Sequence, residues 1–292
     1  MWFIYGILNA SFLSVRRLYD KKALTSGHVP PLTLSWSTRA IAAVIMLAGL
    51  ILFIKPDVTI STDFYIAIIL VTVGFYPLFS WLYYSALRDG KMSTTLPILG
   101  LIPVFSLVAA YFVRGETPPV WGIIGVLCIA FSIYYMHFHT FNHPLQPFRE
   151  IVSEKPARKM LAVAVIATFG ALVDKWGVDA GGPFLYATFN LVGAVIAVAI
   201  IDAIMHHRRA IQPVFEKWHI ILFIGLVELG VFVFYNLALA NTPSVAYIVA
   251  MRDLSILVTA AVGAYVYKEK VSNHTKAAYL IAALGFILIA VQ

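Results

Sequence analysis

Long unbroken apolar runs, rather than alternating positions, set the pattern of this chain. Ten are legible, over about residues 2–19, 32–54, 64–87, 92–113, 119–138, 159–177, 183–203, 218–240, 244–267 and 274–291, separated by clusters of Gly, Pro, Asn and charge. Each approaches the roughly 20 apolar residues that an α-helix needs to cross a bilayer. A membrane β-barrel would alternate apolar and polar positions along every strand, and these runs do not. The pattern predicts an all-α integral membrane protein with ten transmembrane helices. The first run is followed by no small-residue cleavage site and reads as a retained span.

Composition agrees. Of 292 residues, 61% are hydrophobic and 12% charged, whereas soluble domains carry about 25% charge. The single Cys128 excludes a disulfide framework or a cysteine metal cluster. A net charge of +7 raises nucleic acid as a partner, but the basic residues are scattered over short loops, which suits anionic lipid headgroups instead. Loops after spans one, three, five, seven and nine hold most of the loop Lys and Arg, among them Lys21, Lys22, Arg88, Lys91, Arg149, Arg158, Arg208, Arg209, Lys268 and Lys270; the opposite loops hold Lys55 and Arg114. The positive-inside rule then places the first set in the cytoplasm and both termini on the non-cytoplasmic side of a plasma (inner) membrane.

The longest connector, residues 139–158, contains Asn142-His143-Pro144, Pro147 and Pro156 and divides the chain into 1–138 and 159–292. The halves echo one another at separations near 150 residues. Tyr83-Tyr84-Ser85-Ala86-Leu87 matches Tyr235-Asn236-Leu237-Ala238-Leu239, Tyr111 to Glu116 matches Tyr265 to Glu269, and Arg39 falls near Asn190. Five spans per half is an odd number, so the copies must insert in opposite senses. Inverted repeats of this kind mark alternating-access transporters, with substrate near the midplane at the repeat interface. On these motifs, with Arg39 following Pro30-Pro31 and with Glu116 and Glu269 ending spans, the chain resembles the drug/metabolite transporter superfamily in its ten-helix form with two EamA-type repeats. The resemblance implies a secondary transporter, often an exporter of amino acids, drugs or small metabolites. One departure is visible: span four carries Pro97 and Pro103, where span nine carries Arg252-Asp253.

Charges inside the spans narrow the search. Arg39, Asp174, Lys175, Glu228, Arg252 and Asp253 interrupt apolar runs, and each costs a few kcal/mol or more unless paired or hydrated. Spans eight and nine are joined by a short turn at Asn241-Thr242-Pro243, so they are expected to be antiparallel neighbours. That would bring Glu228 together with Arg252 or Asp253 near the membrane centre. Two readings stand: an ion pair that sets helix register, or a site for substrate or a coupling proton. Lys175 and Asp179 suit an interfacial i,i+4 pair with Asp174 beside them, or a gate, and Arg16 and Arg17 suit snorkelling at the end of span one. Tyr76, Phe232 and Tyr247 lie well inside spans and are candidate cavity walls, able to hold a cation against a ring face. Pro77, Pro97 and Pro103 free backbone carbonyls and are candidate hinges. Gly122 and Gly125 suit close helix packing.

Metal and cofactor chemistry find no support. His206 and His207 sit beside Arg208 and Arg209, and there is no His-Glu-x-x-His set and no Gly-rich phosphate loop. The expected function is secondary active transport, as an exporter, of a small polar or amphipathic metabolite, with an amino-acid-like substrate suggested by the presence of both charge signs. Expected partners are that substrate, the bilayer and a coupling proton, in a monomer or homodimer that binds no nucleic acid. A channel or lipid-handling protein is one alternative. An integral-membrane enzyme is the other, with Glu228 and Asp253 as its only candidate pair.

Overall fold

Backbone N–H and C=O groups in hydrocarbon have no water to bond, so the apolar runs satisfy them internally as helices. A computed structural model describes residues 1–25, 29–53, 61–90, 95, 98–136, 154–206, 212–266 and 273–291, and no strand occurs among them. The helices are α1 (Trp2–Thr25), α2 (Pro31–Phe53), α3 (Thr62–Ile69), α4 (Tyr76–Asp89), α5 (Ile102–Arg114), α6 (Val120–Met136), α7 (Lys155–Gly181), α8 (Pro183–His206), the short α9 (Gln212–Glu216), α10 (Trp218–Asn241), α11 (Val245–Val266) and α12 (Asn273–Ala290). Six rods are long and apolar enough to cross a membrane: α2, the α3–α4 rod, α7, α8, α10 and α12. Two shorter apolar helices, α5 and α6, join them.

Pro77 leaves a mark upstream. Proline has no N–H, and its ring crowds the carbonyl one turn back. The α3–α4 rod accommodates this with a π-helical turn over Leu70–Phe75, in which the Tyr76 N–H reaches the Val71 carbonyl. Such turns inside a helix are uncommon and are frequent at functional sites. Pro103 differs from expectation: it occupies the first turn of α5, where a missing N–H removes no helix bond. Pro97 lies outside the described residues, as do Arg208, Arg209, Lys268, Glu269 and most of the 139–158 connector.

Packing inverts the usual layout of a soluble protein. Apolar side chains such as Ile51 (71% exposed) and Phe112 (78%) cover the outside, while Asn9, Arg16, Arg17, Asp20, Arg39, Glu228 and Asp253 are buried. The outer face thus presents hydrocarbon to lipid, and the polar groups meet one another inside. At the α6–α12 contact the backbones nearly touch: a Cβ added to Gly125 would lie 2.7 Å from the Gly285 carbonyl oxygen. Gly122 likewise makes room for the Tyr247 ring.

One expectation about neighbours is overturned. Although α10 and α11 are joined by a short turn, α1 packs extensively along both, and the two touch each other little. In turn, α7 packs on α3, α4 and α5, while α2 lies against α8 and α10. The reason is side-chain chemistry: Asn9, Ser14, Arg16 and Arg17 make α1 the most polar of the central helices, and its polar groups find partners on α10 and α11. The Asn9 amide donates to the Val231 carbonyl (2.8 Å), and the Ser14 hydroxyl to the Ser255 carbonyl (3.1 Å).

Candidate functional site

Glu228 anchors the interior. It is fully buried on α10 and lies between two guanidinium groups, Arg16 of α1 in close contact and Arg39 of α2 at 3.3 Å. Both are charge contacts rather than aligned hydrogen bonds, since neither Glu228 oxygen has a hydrogen-bond partner in the described structure. Arg16 also donates to the Tyr84 hydroxyl (2.7 Å) and pairs with Asp20 one turn along (3.4 Å). Arg39 reaches the Ser35 hydroxyl on its own helix and lies over the Tyr76 ring, 4.9 Å from its centroid. Three helices from both halves of the chain are tied here by charge.

A second group surrounds Asp253 on α11. Its carboxylate lies 3.9 Å from Arg17 and 4.0 Å from the neighbouring Arg252. Arg252 in turn stacks over Tyr235, 5.7 Å from the ring centroid. Asp174 on α7 forms a third group with neutral partners: it accepts from the Tyr186 hydroxyl (2.8 Å), the Asn190 amide (3.2 Å) and the Tyr235 hydroxyl (3.3 Å). A cavity of about 160 Å³ joins the three, with Arg16, Arg17, Arg39, Asp174, Arg252 and Asp253 all on its wall. Its apolar surface comes from side chains such as Val71, Phe79, Ile166 and Phe232. An apolar cavity of about 150 Å³ admits one benzene, so this one has the size for a small metabolite.

Of the residues singled out from the sequence, Arg39, Tyr76, Asp174, Phe232, Arg252 and Asp253 line the cavity. The rings of Tyr76 and Phe232 are stacked at 6.5 Å. Glu228 sits behind two lining arginines, and Asn190 behind Asp174. Four placements are corrected. Glu228 pairs with Arg16 and Arg39, not with Arg252 or Asp253, because α1 separates α10 from α11. Arg16 and Arg17 do not snorkel; α1 runs on to Thr25 and leaves them buried in the bundle. Asp174 leaves the interface for the cavity, although Lys175 and Asp179 form the expected pair at 2.6 Å. Tyr247 stands apart, buried against Gly122 and stacked on Trp2 at 6.0 Å.

Comparison with known proteins decides the family. The EamA-like transporter family matches residues 1–138 and again 159–291. The chain belongs to the EamA-like transporter family. No curated protein matches it. A solved structure described only as a crystal structure of a protein superposes on this EamA-like transporter with a TM-score of 0.74 at 15% identity, covering 99% of this chain and 96% of its own. That likeness shows the fold. The family makes this EamA-like protein a multi-pass membrane transporter of the drug/metabolite superfamily.

Among the other cavity-lining residues, Asp20 goes unnamed in the sequence reading, Arg16 and Arg17 are placed there at the interface, and Tyr84 and Tyr235 enter only as part of the repeat motif. A usable signal existed for three of them. Arg16 and Asp20 are spaced i,i+4 on a helix, with Arg17 alongside, and a helix continued by six residues past residue 19 would have buried all three.

Proposed function

We propose that this protein is a secondary active transporter that exports a small polar or amphipathic, amino-acid-like metabolite across the plasma membrane by alternating access. The observation that carries the reading is the cavity itself: a space of about 160 Å³ inside membrane-length helices, walled by charges of both signs. Counting α3–α4 as one rod and leaving out the short α9 gives ten spans, five in each of the units 1–138 and 159–292, with 139–158 connecting them. The reciprocal packing supports two inverted repeats: α1 lies along α10 and α11, and α7 lies along α3–α4 and α5. The loop charges favour termini on the non-cytoplasmic side.

Glu228, Arg252, Asp253, Arg39, Asn190, Tyr76 and Phe232 serve the substrate or a coupling proton in this reading, directly or through the lining groups they hold. The π-helical turn before Pro77 is the bending point of the first half. The protein works as a monomer or homodimer. Purified protein in proteoliposomes loaded with an amino acid is expected to give saturable uptake and counterflow. Linear, unsaturable flux would instead indicate a channel, and chemical turnover of the compound in detergent an enzyme.

A further inference from the structure

The charges on the cavity wall do not cancel evenly along it. Arg16 and Arg39 are answered by Glu228 and Asp20. Arg17 and Arg252 share one carboxylate, Asp253, which leaves one guanidinium in excess at that place. Arg17 is 5% exposed, lines the cavity, and has its Nε and Nη1 groups without hydrogen-bond partners in the described structure. Buried donors in that state carry a desolvation penalty until an acceptor arrives. At Asp174 the imbalance is reversed. Its hydrogen-bond partners Tyr186, Asn190 and Tyr235 are all neutral donors, and Arg252 acts on it only at longer range, with no cation among the described residues within ion-pair distance.

We infer that Arg17, with Arg252, and Asp174 are the two poles of one dipolar binding site, Arg17 for a carboxylate and Asp174 for an ammonium group. A carboxylate accepts about four hydrogen bonds, and Asp174 has three, the one from Tyr235 long at 3.3 Å, so room remains for an incoming N–H. Tyr235 touches a group of each sign, its hydroxyl toward Asp174 and its ring face toward Arg252. Asp253 is the weaker candidate for the ammonium despite its two unpartnered oxygens, because the guanidinium groups on either side of it repel a cation. Asn190 and Tyr186 are positioning residues that fix the Asp174 carboxylate. The assignment rests on the transporter reading for the view of the cavity as a ligand site, and goes beyond it in giving the bound molecule an orientation.

Three probes of matched shape test the poles by thermal shift of the full-length protein in detergent: leucine, 3-methylbutylamine, which lacks its carboxylate, and 4-methylpentanoate, which lacks its amine. Leucine is expected to stabilise the wild-type protein at lower concentration than either single-charge probe. Asp174→Asn is expected to weaken leucine and the amine about tenfold or more, the scale of one charge-assisted hydrogen bond, while sparing 4-methylpentanoate. Arg17→Gln is expected to do the reverse, and Asp253→Asn to strengthen 4-methylpentanoate by exposing the surplus cation. Asp174→Glu and Arg17→Lys should recover part of each loss, which separates recognition from a folding defect. The inference is overturned if no probe shifts the wild-type protein, if either variant weakens all three alike, or if Asp253→Asn rather than Asp174→Asn abolishes the amine response. Leucine counterflow in proteoliposomes keeps the two proposals apart. Sorted probes without counterflow remove transport and leave the poles, whereas counterflow with unsorted probes removes the poles and leaves transport.

Discussion

Arg39 on α2 and Glu228 on α10 face each other at 3.3 Å with almost no exposure to solvent. Removing one member of a buried pair strands the other charge and costs roughly 3–5 kcal/mol. Glu228→Gln leaves Arg39 without a carboxylate and Arg16 with Asp20 alone, whereas Arg39→Gln leaves Glu228 paired with Arg16, so the first is expected to lower the thermal midpoint more. The double variant should lose less than the sum of the two. Strict additivity in a double-mutant cycle would show that the two groups are uncoupled.

Gly125 and Gly285 set the separation of α6 and α12. Gly125→Ala places a methyl 2.7 Å from a backbone oxygen, and Gly285→Ala one 2.6 Å from the Gly125 carbonyl. The helices must move apart, at a cost of about 1–3 kcal/mol. Gly49→Ala, with nothing within 4 Å, is the control and should melt with the wild-type protein. Equal melting of all three would refute a backbone contact at this crossing.

Arg114 closes one end of the bundle. It donates to Glu116 (2.9 Å) and pairs with Asp179 of α7 (3.0 Å), while Glu116 accepts from the Val245 N–H that opens α11 (3.1 Å). The groups are partly exposed, so the pairs add about 0–1 kcal/mol to stability. Their effect should appear in opening instead. In a background with Cys128 replaced, Arg114→Gln is expected to speed maleimide labelling of Ala171→Cys on the cavity wall several-fold, with little change in melting. Unchanged labelling would remove the latch role.

Pro77→Ala restores an N–H to the α3–α4 rod and removes the ring that favours the π-helical turn. Regular α-helix should spread into Leu70–Phe75, slowing amide exchange there and reducing the transport rate with little effect on substrate affinity. Faster exchange over those residues would contradict a proline-imposed turn.

The cavity shows how far one-dimensional reasoning reached. Arg39 and Asp253 were legible because a charge within an apolar run needs a partner or water wherever the helix packs. Arg17 and Asp174 read from the sequence as interfacial because their depth depends on where α1 and α7 end, at Thr25 and Gly181, several residues beyond the apolar patterns. Pairing was less legible still. A short turn at Asn241-Thr242-Pro243 suggests that α10 meets α11, but the turn limits only the distance between their ends and leaves a third helix free to lie along both.

By itself the sequence determined an all-helical multi-pass membrane protein, because apolar length acts locally on each segment as it meets a bilayer, and its motifs pointed to the drug/metabolite transporters by resemblance. Only the tertiary structure decided that Glu228 answers Arg16 and Arg39, that Asp174 faces the cavity and that Tyr247 does not. Those outcomes depend on which helix inserts between which others, and that is settled by the summed packing and charge of residues more than 200 positions apart, such as Arg16 and Glu228.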